Sequence, residues 1–138
     1  MSEESLLNAI AHGGEPHVSA YVYGGNDLSF SERRFALDLL SRLHAPSADQ
    51  SLTIVERQAS GRFTLLILRV PWLAHDGDPA SGYHPLLVAE QGNSYRAVGY
   101  VLPWNEIIPQ FSAEEMGQIQ SLSIRWIVWL SQRRTATA

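Results

Sequence analysis

The segment "FTLLILRV" at residues 63–70 is the strongest indication of the fold, because six of its eight positions are apolar. An apolar run of this length, bounded by turn residues, predicts a strand in the interior of a sheet. The segment before it, Ser51 to Gln58, has an alternating pattern and is followed by "ASGR" at 59–62. Together the two segments predict a β-hairpin in which residues 63–70 form a central strand.

Three further segments have strand patterns. Leu86 to Glu90 and Tyr95 to Leu102 flank "QGNS" at 91–94, whose residues tolerate the positive φ angles of a hairpin turn. His17 to Tyr23, "HVSAYVY", alternates with the period of a strand and ends at "GGND". The sequence therefore predicts five strands.

Three segments have helical patterns. Ser29 with Glu32, and again Ser112 with Glu115, have the spacing of a capping box, in which a hydroxyl and a carboxylate satisfy amides at a helix start. Amphipathic periodicity and these start signals predict helices at Ser5 to Ala11, at Ser31 to about His44 and from Ser112 to about Arg133.

The resulting element order is α-β-α-β-β-β-β-α within a single domain at residues 1–138. Strands that follow one another along the chain usually pair with their neighbours, which favours antiparallel pairing. The predicted fold class is therefore α+β, with a mostly antiparallel five-stranded sheet and helices packed on one face.

The composition restricts the chemistry. The chain has ten arginines, no lysine and no cysteine, so a Schiff-base amine, a thiol nucleophile, a disulfide and a thiolate metal site are excluded. The formal charge of −4 argues against nucleic acid as the main partner, because phosphate binding usually requires a basic surface. We predict no cofactor, with a divalent metal as the alternative.

The N-terminus is acidic where a secretory signal needs positive charge, and its apolar stretch is short. The longest apolar run near the C-terminus, "WIVWL" at 126–130, is far below the roughly 20 residues of a membrane-spanning helix. We therefore expect a cytoplasmic protein without a membrane span.

One segment, "PWLAHDGDPASGYHP" at 71–85, concentrates candidate metal ligands. His75, Asp76, Asp78 and His84 offer the nitrogen and oxygen donors that divalent metals prefer. Their spacing matches no established metal motif, and Asp, Gly, Pro and Ser are also the residues that form turns. The segment is interpreted either as a long polar connection between two hairpins or as the site of a small metal-dependent enzyme or ligand-binding domain.

The C-terminal helix is apolar around nearly its whole circumference, which predicts burial on more than one side. The second side is either the core of this domain or another copy of the chain. The residues proposed for a dimer interface are Met116, Ile119, Trp126, Trp129 and Leu130. Three aromatic residues near predicted strand ends are candidates for lining a ligand pocket: Trp72, Tyr83 and Trp104.

These observations favour a small acidic protein-interaction module, such as a regulator, adaptor, chaperone or immunity-type inhibitor. Its predicted partners are itself, as a homodimer, and another protein. The alternative is the metal-dependent enzyme or ligand-binding domain described above. A third hypothesis is a transcriptional regulator that contacts nucleic acid through a local patch formed by Arg33, Arg34 and Arg42.

Overall fold

The structure is a computed structural model that describes residues 3–12, 22–23, 27–78, 80–91, 94–99 and 111–136. In chain order the elements are α1 (Glu3–His12), α2 (Phe30–Leu43), β1 (Thr53–Ser60), β2 (Phe63–Arg69), a 3₁₀ turn (Pro71–Leu73), β3 (Tyr83–Gln91), β4 (Ser94–Gly99) and α3 (Ala113–Ala136). The α+β class predicted from the sequence is confirmed.

The four strands form one antiparallel sheet in the order β1-β2-β3-β4. β2 pairs with strands on both sides, so the prediction that residues 63–70 form a central strand is confirmed. The two predicted hairpins are not separate, because β2 pairs directly with β3 over its whole length and all four strands form a continuous meander.

The described residues contain four strands rather than the predicted five. The predicted strand at 17–23 lies mostly outside the described residues, as does the end of the predicted strand at 95–102. Of the first segment, Val22 makes one parallel bridge to Ala97 and the amide of Tyr23 donates a 2.7 Å hydrogen bond to the Ala97 carbonyl. The chain at 22–23 therefore lies beside β4.

The helices cover both faces of the sheet, so the prediction that they pack on one face was wrong. Directly paired residues share a face, and successive residues alternate between faces. Arg57 of β1 is on the face where it binds Glu3 of α1 at 2.7 Å, whereas Tyr83 of β3 is on the opposite face, where its ring contacts Trp129 of α3. A continuous apolar strand such as β2 needs cover on both sides.

The face toward α3 is formed by Phe63, Leu65, Ile67 and Leu87, and the face toward α1 and α2 by Leu66, Leu68, Leu86 and Val88. All eight side chains are fully buried. They belong to one hydrophobic cluster with the inner residues of the three helices.

Local sequence signals place the helix starts and the first turn. Both predicted capping boxes are present: Ser29 and Glu32 exchange hydrogen bonds of 2.9 and 3.2 Å, and Ser112 and Glu115 exchange bonds of 3.0 and 3.1 Å. The turn between β1 and β2 consists of Gly61 and Arg62, with a positive φ of 61° at Gly61 alone. Glycine as the first central residue is typical of a type II′ hairpin turn.

Candidate functional site

The described residues between β2 and β3 form a hydrogen-bonded turn. Asp78 accepts a 3.0 Å hydrogen bond from the amide of Ala80 through its carboxylate, and its carbonyl accepts a 2.7 Å bond from the hydroxyl of Ser81. That hydroxyl also accepts a 2.9 Å bond from the amide of His75. Gly77 has a φ of 87°, which glycine adopts without steric cost. Asp, Gly and Ser therefore serve turn geometry here.

His84 lies outside this turn. It is the second residue of β3, 7% exposed, and it shares a sheet face with Leu68. The pKa of its imidazole is lowered from 6.5 to about 4, mainly by burial and to a lesser extent by the nearby positive charge of Arg42, while a backbone hydrogen bond at Pro85 opposes the shift. The imidazole is therefore neutral at pH 7.

The structure does not bring the four candidate metal ligands together. His75 and Asp76 are exposed on the turn, Asp78 pairs with Arg134 of α3 at 3.8 Å, and His84 is on the sheet face that α2 covers. Within the part of the chain that the structure describes, no three His, Asp or Glu side chains are close enough to hold a metal ion. His75 and Asp78 form a backbone bridge.

Of the three predicted pocket residues, the two that the structure describes, Trp72 and Tyr83, lie on opposite sides of the sheet. The indole Nε1 of Trp72 donates a 2.7 Å hydrogen bond to the carbonyl of Arg42, which fastens the 3₁₀ turn to the end of α2. Tyr83 is on the other face of the sheet, against Trp129. Trp104 lies outside the described residues.

The residues predicted for a dimer interface belong to the inner side of α3. Ile119 is fully buried, Trp129 is 9% exposed, and Met116 and Trp126 pack against the core as partly buried side chains. Leu130 is half-buried. Met116, Ile119, Trp126 and Trp129 therefore pack within the domain, as the buried stripe of a helix lying on a sheet does.

The outer side of α3 has its own apolar stripe. Ile124, Ile127 and Val128 are 56%, 60% and 49% exposed. Residues three and four positions apart are neighbours on a helix surface, so these three side chains form one patch, which we call the α3 patch. It borders a groove of about 280 Å³ between α3 and β1, where Glu56, Gln58 and Arg125 are also found.

A second exposed apolar surface lies on α2. Phe30 and Phe35 are 77% and 58% exposed, and with Arg34 and Asp38 they line an open groove of about 520 Å³. We call Phe30 and Phe35 the α2 patch. Neither phenylalanine contributes to the core, although the same helix buries Ala36, Leu39 and Leu43.

The predicted arginine patch is dispersed around α2. Arg33 is half-buried, Arg34 is exposed, and Arg42 forms a 3.5 Å ion pair with Asp38. A basic surface for phosphates requires several cations on one side, and here an acidic side chain lies among them.

Arg62 connects several elements of the fold, and it was not among the residues singled out from the sequence. Its guanidinium lies over the rings of Tyr23, Phe63 and Phe111 at 5.4, 5.2 and 5.5 Å from their centroids, and it donates a 2.6 Å bond to Glu115. Burial opposes the charge, but hydrogen bonds with Tyr23 and Glu115 raise the pKa of Arg62. The hairpin turn is thereby joined to the first turn of α3. No local pattern predicts this cluster, because its members come from three segments that are far apart in the chain, near residues 23, 62 and 111.

None of the helices in the described ranges has the length and hydropathy needed to cross a membrane. Protein-family models, curated proteins and solved structures gave no match to this chain.

Proposed function

We propose that this protein is a protein-interaction module that forms a homodimer through the α3 patch. The observation that carries the proposal is the exposure of Ile124, Ile127 and Val128, at 49–60%, on a helix whose opposite side is already buried on the sheet. Apolar side chains grouped on a surface mark interaction sites more often than scattered ones do. The cytoplasmic location predicted from the sequence is part of the proposal.

The charges of α3 favour a second copy as the occupant of the patch. Its first turn carries Glu114 and Glu115 and its last turn carries Arg133 and Arg134, while Arg125 is the only charged residue between them. A two-fold symmetric dimer brings the same patch of each subunit together. If two α3 helices pack antiparallel, the acidic end of each lies beside the basic end of the other, and their macrodipoles are opposed.

The α2 patch supports interaction with another protein. Phe30 and Phe35 flank Arg34, and aromatic and arginine side chains are enriched in binding hot spots. A regulator, adaptor, chaperone or immunity-type inhibitor would each need such a surface in addition to a dimer interface.

The dimer is tested by light scattering after size-exclusion chromatography over a range of protein concentrations. We expect the wild-type dimer to dissociate only on dilution. The double variant Ile124→Gln/Ile127→Gln should still be monomeric at a concentration at least tenfold above the one at which the wild type dissociates. Both positions are exposed, so the variant should keep its helical circular dichroism spectrum.

The matched control is Phe30→Gln, which removes an even more exposed apolar side chain from another helix. It should leave the dimer intact. A wild type that is monomeric at the highest concentration would overturn the proposal, and so would a control that dissociates the dimer as strongly as the double variant.

A further inference from the structure

β1 is an edge strand of the sheet. It pairs with β2 on one side, and no described strand pairs with its other side. At the opposite edge, by contrast, Val22 and Tyr23 lie beside β4. Every residue of β1 is exposed or half-buried. An edge strand presents backbone N–H and C=O groups to which a further strand can bind, so β1 is suited to pair with an extended segment.

The α3 patch lies next to this edge. Glu56 and Gln58 of β1 line the groove of about 280 Å³ together with Ile124 and Val128, two members of the patch. This groove lies between the open edge of the sheet and the exposed apolar side of the helix. A partner that covers the α3 patch therefore reaches the edge of β1 as well.

The middle of β1 lies beside the middle of α3. A Cβ added to Gly61, just beyond the end of β1, would lie 2.2 Å from Gln118 in the first half of α3. Gln58 lies beside Ile124, near the centre of the helix. A two-fold axis perpendicular to the sheet at Gln58 pairs two copies of β1 antiparallel and sets the two α3 helices antiparallel on the same face. The acidic first turn of each helix then lies beside the basic last turn of the other.

This register places no like charges opposite each other. The pairing of β1 with β2 is regular over residues 56–60, and Gln58 is the middle of that range. With the axis there, the direct pairs are Gln58 with Gln58 of the partner subunit, Arg57 with Ala59 of the partner subunit, and Glu56 with Ser60 of the partner subunit. An axis at Glu56 or Arg57 would instead set two like charges opposite each other, which destabilises an antiparallel pair.

Glu56 and Arg125 carry opposite charges in the same groove, and neither forms an ion pair with a described residue. The Oε2 atom of Glu56 is buried and accepts no hydrogen bond, whereas Arg125 is exposed. A partly buried carboxylate without a donor or a compensating cation is unfavourable. An arginine that enters the groove from a second copy supplies both.

We infer that the homodimer forms by antiparallel pairing of β1 with β1 of a second copy, so that one continuous sheet runs through both subunits. The α3 patches meet on one face of this sheet, and Glu56 pairs with Arg125 of the partner subunit. This inference rests on the proposed homodimer and adds its geometry and its charge pair. Two-fold symmetry repeats the charge pair, so each dimer contains it twice.

The first test is charge reversal, measured by the concentration at which the dimer dissociates. Glu56→Arg and Arg125→Glu should each weaken the dimer at least tenfold, because each change sets like charges together at two places in the interface. The double variant Glu56→Arg/Arg125→Glu restores opposite charges and should recover most of the wild-type affinity. Asp27→Arg is the control, since it makes the same change of charge as Glu56→Arg at an exposed residue before α2, and it should leave dissociation unchanged.

The second test leaves residues 56 and 125 unchanged and measures proximity across the axis. The chain has no cysteine, so Gln58→Cys introduces a single thiol. Directly paired residues of antiparallel strands have Cβ atoms about 5 Å apart, close to their separation in a disulfide. Incubation with oxidised glutathione should therefore link the two subunits covalently. Ser51→Cys, at an exposed position seven residues from the axis, should not form the link.

The outcomes separate this inference from the homodimer itself. A wild type that is monomeric at the highest concentration would remove both. A dimer that Ile124→Gln/Ile127→Gln dissociates, but that folded Glu56→Arg and Arg125→Glu leave unchanged, would overturn the β1 pairing alone. If Gln58→Cys forms the covalent dimer no faster than Ser51→Cys, the pairing is overturned whatever the charge variants show, and the edge of β1 is left to a strand of another protein.

Discussion

The two faces of the sheet are covered in different ways. Among the described elements, one helix covers the face toward α3, with aromatic contacts through Trp129, Tyr83 and Phe111 and arginines stacked on their rings. The face toward α1 and α2 is covered by two shorter helices, with aliphatic packing and one buried imidazole, that of His84. Substitutions that disturb packing should therefore reduce stability most on the face toward α3. Changes in pH should affect stability mainly through the face toward α1 and α2.

The strongest test of this difference is Trp129→Ala on the α3 face. Trp129 is 9% exposed and contacts both Tyr83 and Trp126. Removing a buried tryptophan leaves a cavity and typically costs about 3–5 kcal/mol of unfolding free energy. Urea denaturation followed by circular dichroism measures the loss.

Phe30→Ala is the matched aromatic control for this substitution, because Phe30 is 77% exposed. It should change the unfolding free energy by less than about 0.5 kcal/mol. Equal losses in the two variants would mean that Trp129 does not pack on the sheet as described.

His84, on the sheet face toward α1 and α2, should make the stability of the protein depend on pH. Its pKa is lowered from 6.5 to about 4 in the folded state, so the unfolded chain takes up the proton more readily. The stability associated with the neutral, buried imidazole of His84 is fully present above pH 6.5 and is lost as the pH falls toward 4. With 1.36 kcal/mol for each pKa unit, we expect a loss of about 2–3 kcal/mol between pH 7 and 4.5.

The measurement is urea denaturation at these two pH values for the wild type, His84→Gln and His75→Gln. The first variant should lose less stability than the wild type on acidification. The second, on the exposed turn, should behave like the wild type. If all three proteins respond alike to pH, another group is responsible for the acid sensitivity.

Gly61→Ala should have the smallest of the three effects and tests how the hairpin turn meets α3. Gly61 has a φ of 61°, and an added Cβ would lie 2.2 Å from the amide oxygen of Gln118. A non-glycine residue at positive φ costs about 1–2 kcal/mol, and Gln118 must also move. Thermal unfolding measures the change, with Gly117→Ala as a control because a Cβ there meets nothing within 4 Å.

The features of the fold that could be predicted from the sequence are those that depend on short-range patterns. The capping boxes at Ser29 and Ser112 and the central position of β2 were predicted correctly, because each depends on residues within a few positions of one another. The helix ends differ from the prediction by one to three residues. The direct pairing of β2 with β3 was missed, because His84 and Pro85 were read as part of a loop and belong to β3.

Where the candidate site residues lie depends on which side of each element meets the core, and local sequence does not show that. A helix that is apolar all round gives no signal for which side meets the core, so Trp126 and Trp129 were assigned to an interface while Ile124 and Ile127 were not. In the segment at 71–85, proximity in sequence suggested a shared site. The alternation of side chains along β3 instead places Tyr83 and His84 on opposite faces of the sheet.

The class of fold could be predicted from the sequence, because apolar periodicity, capping residues and turn glycines act over a few neighbouring positions. Long-range packing sets the rest: helices cover both faces, Arg62 joins the first hairpin to α3, and Arg69, Tyr83 and Arg133 meet. Such contacts join residues 14 or more positions apart in the chain. Which pairs form depends on how the helices dock on the sheet, and a local pattern does not encode that geometry.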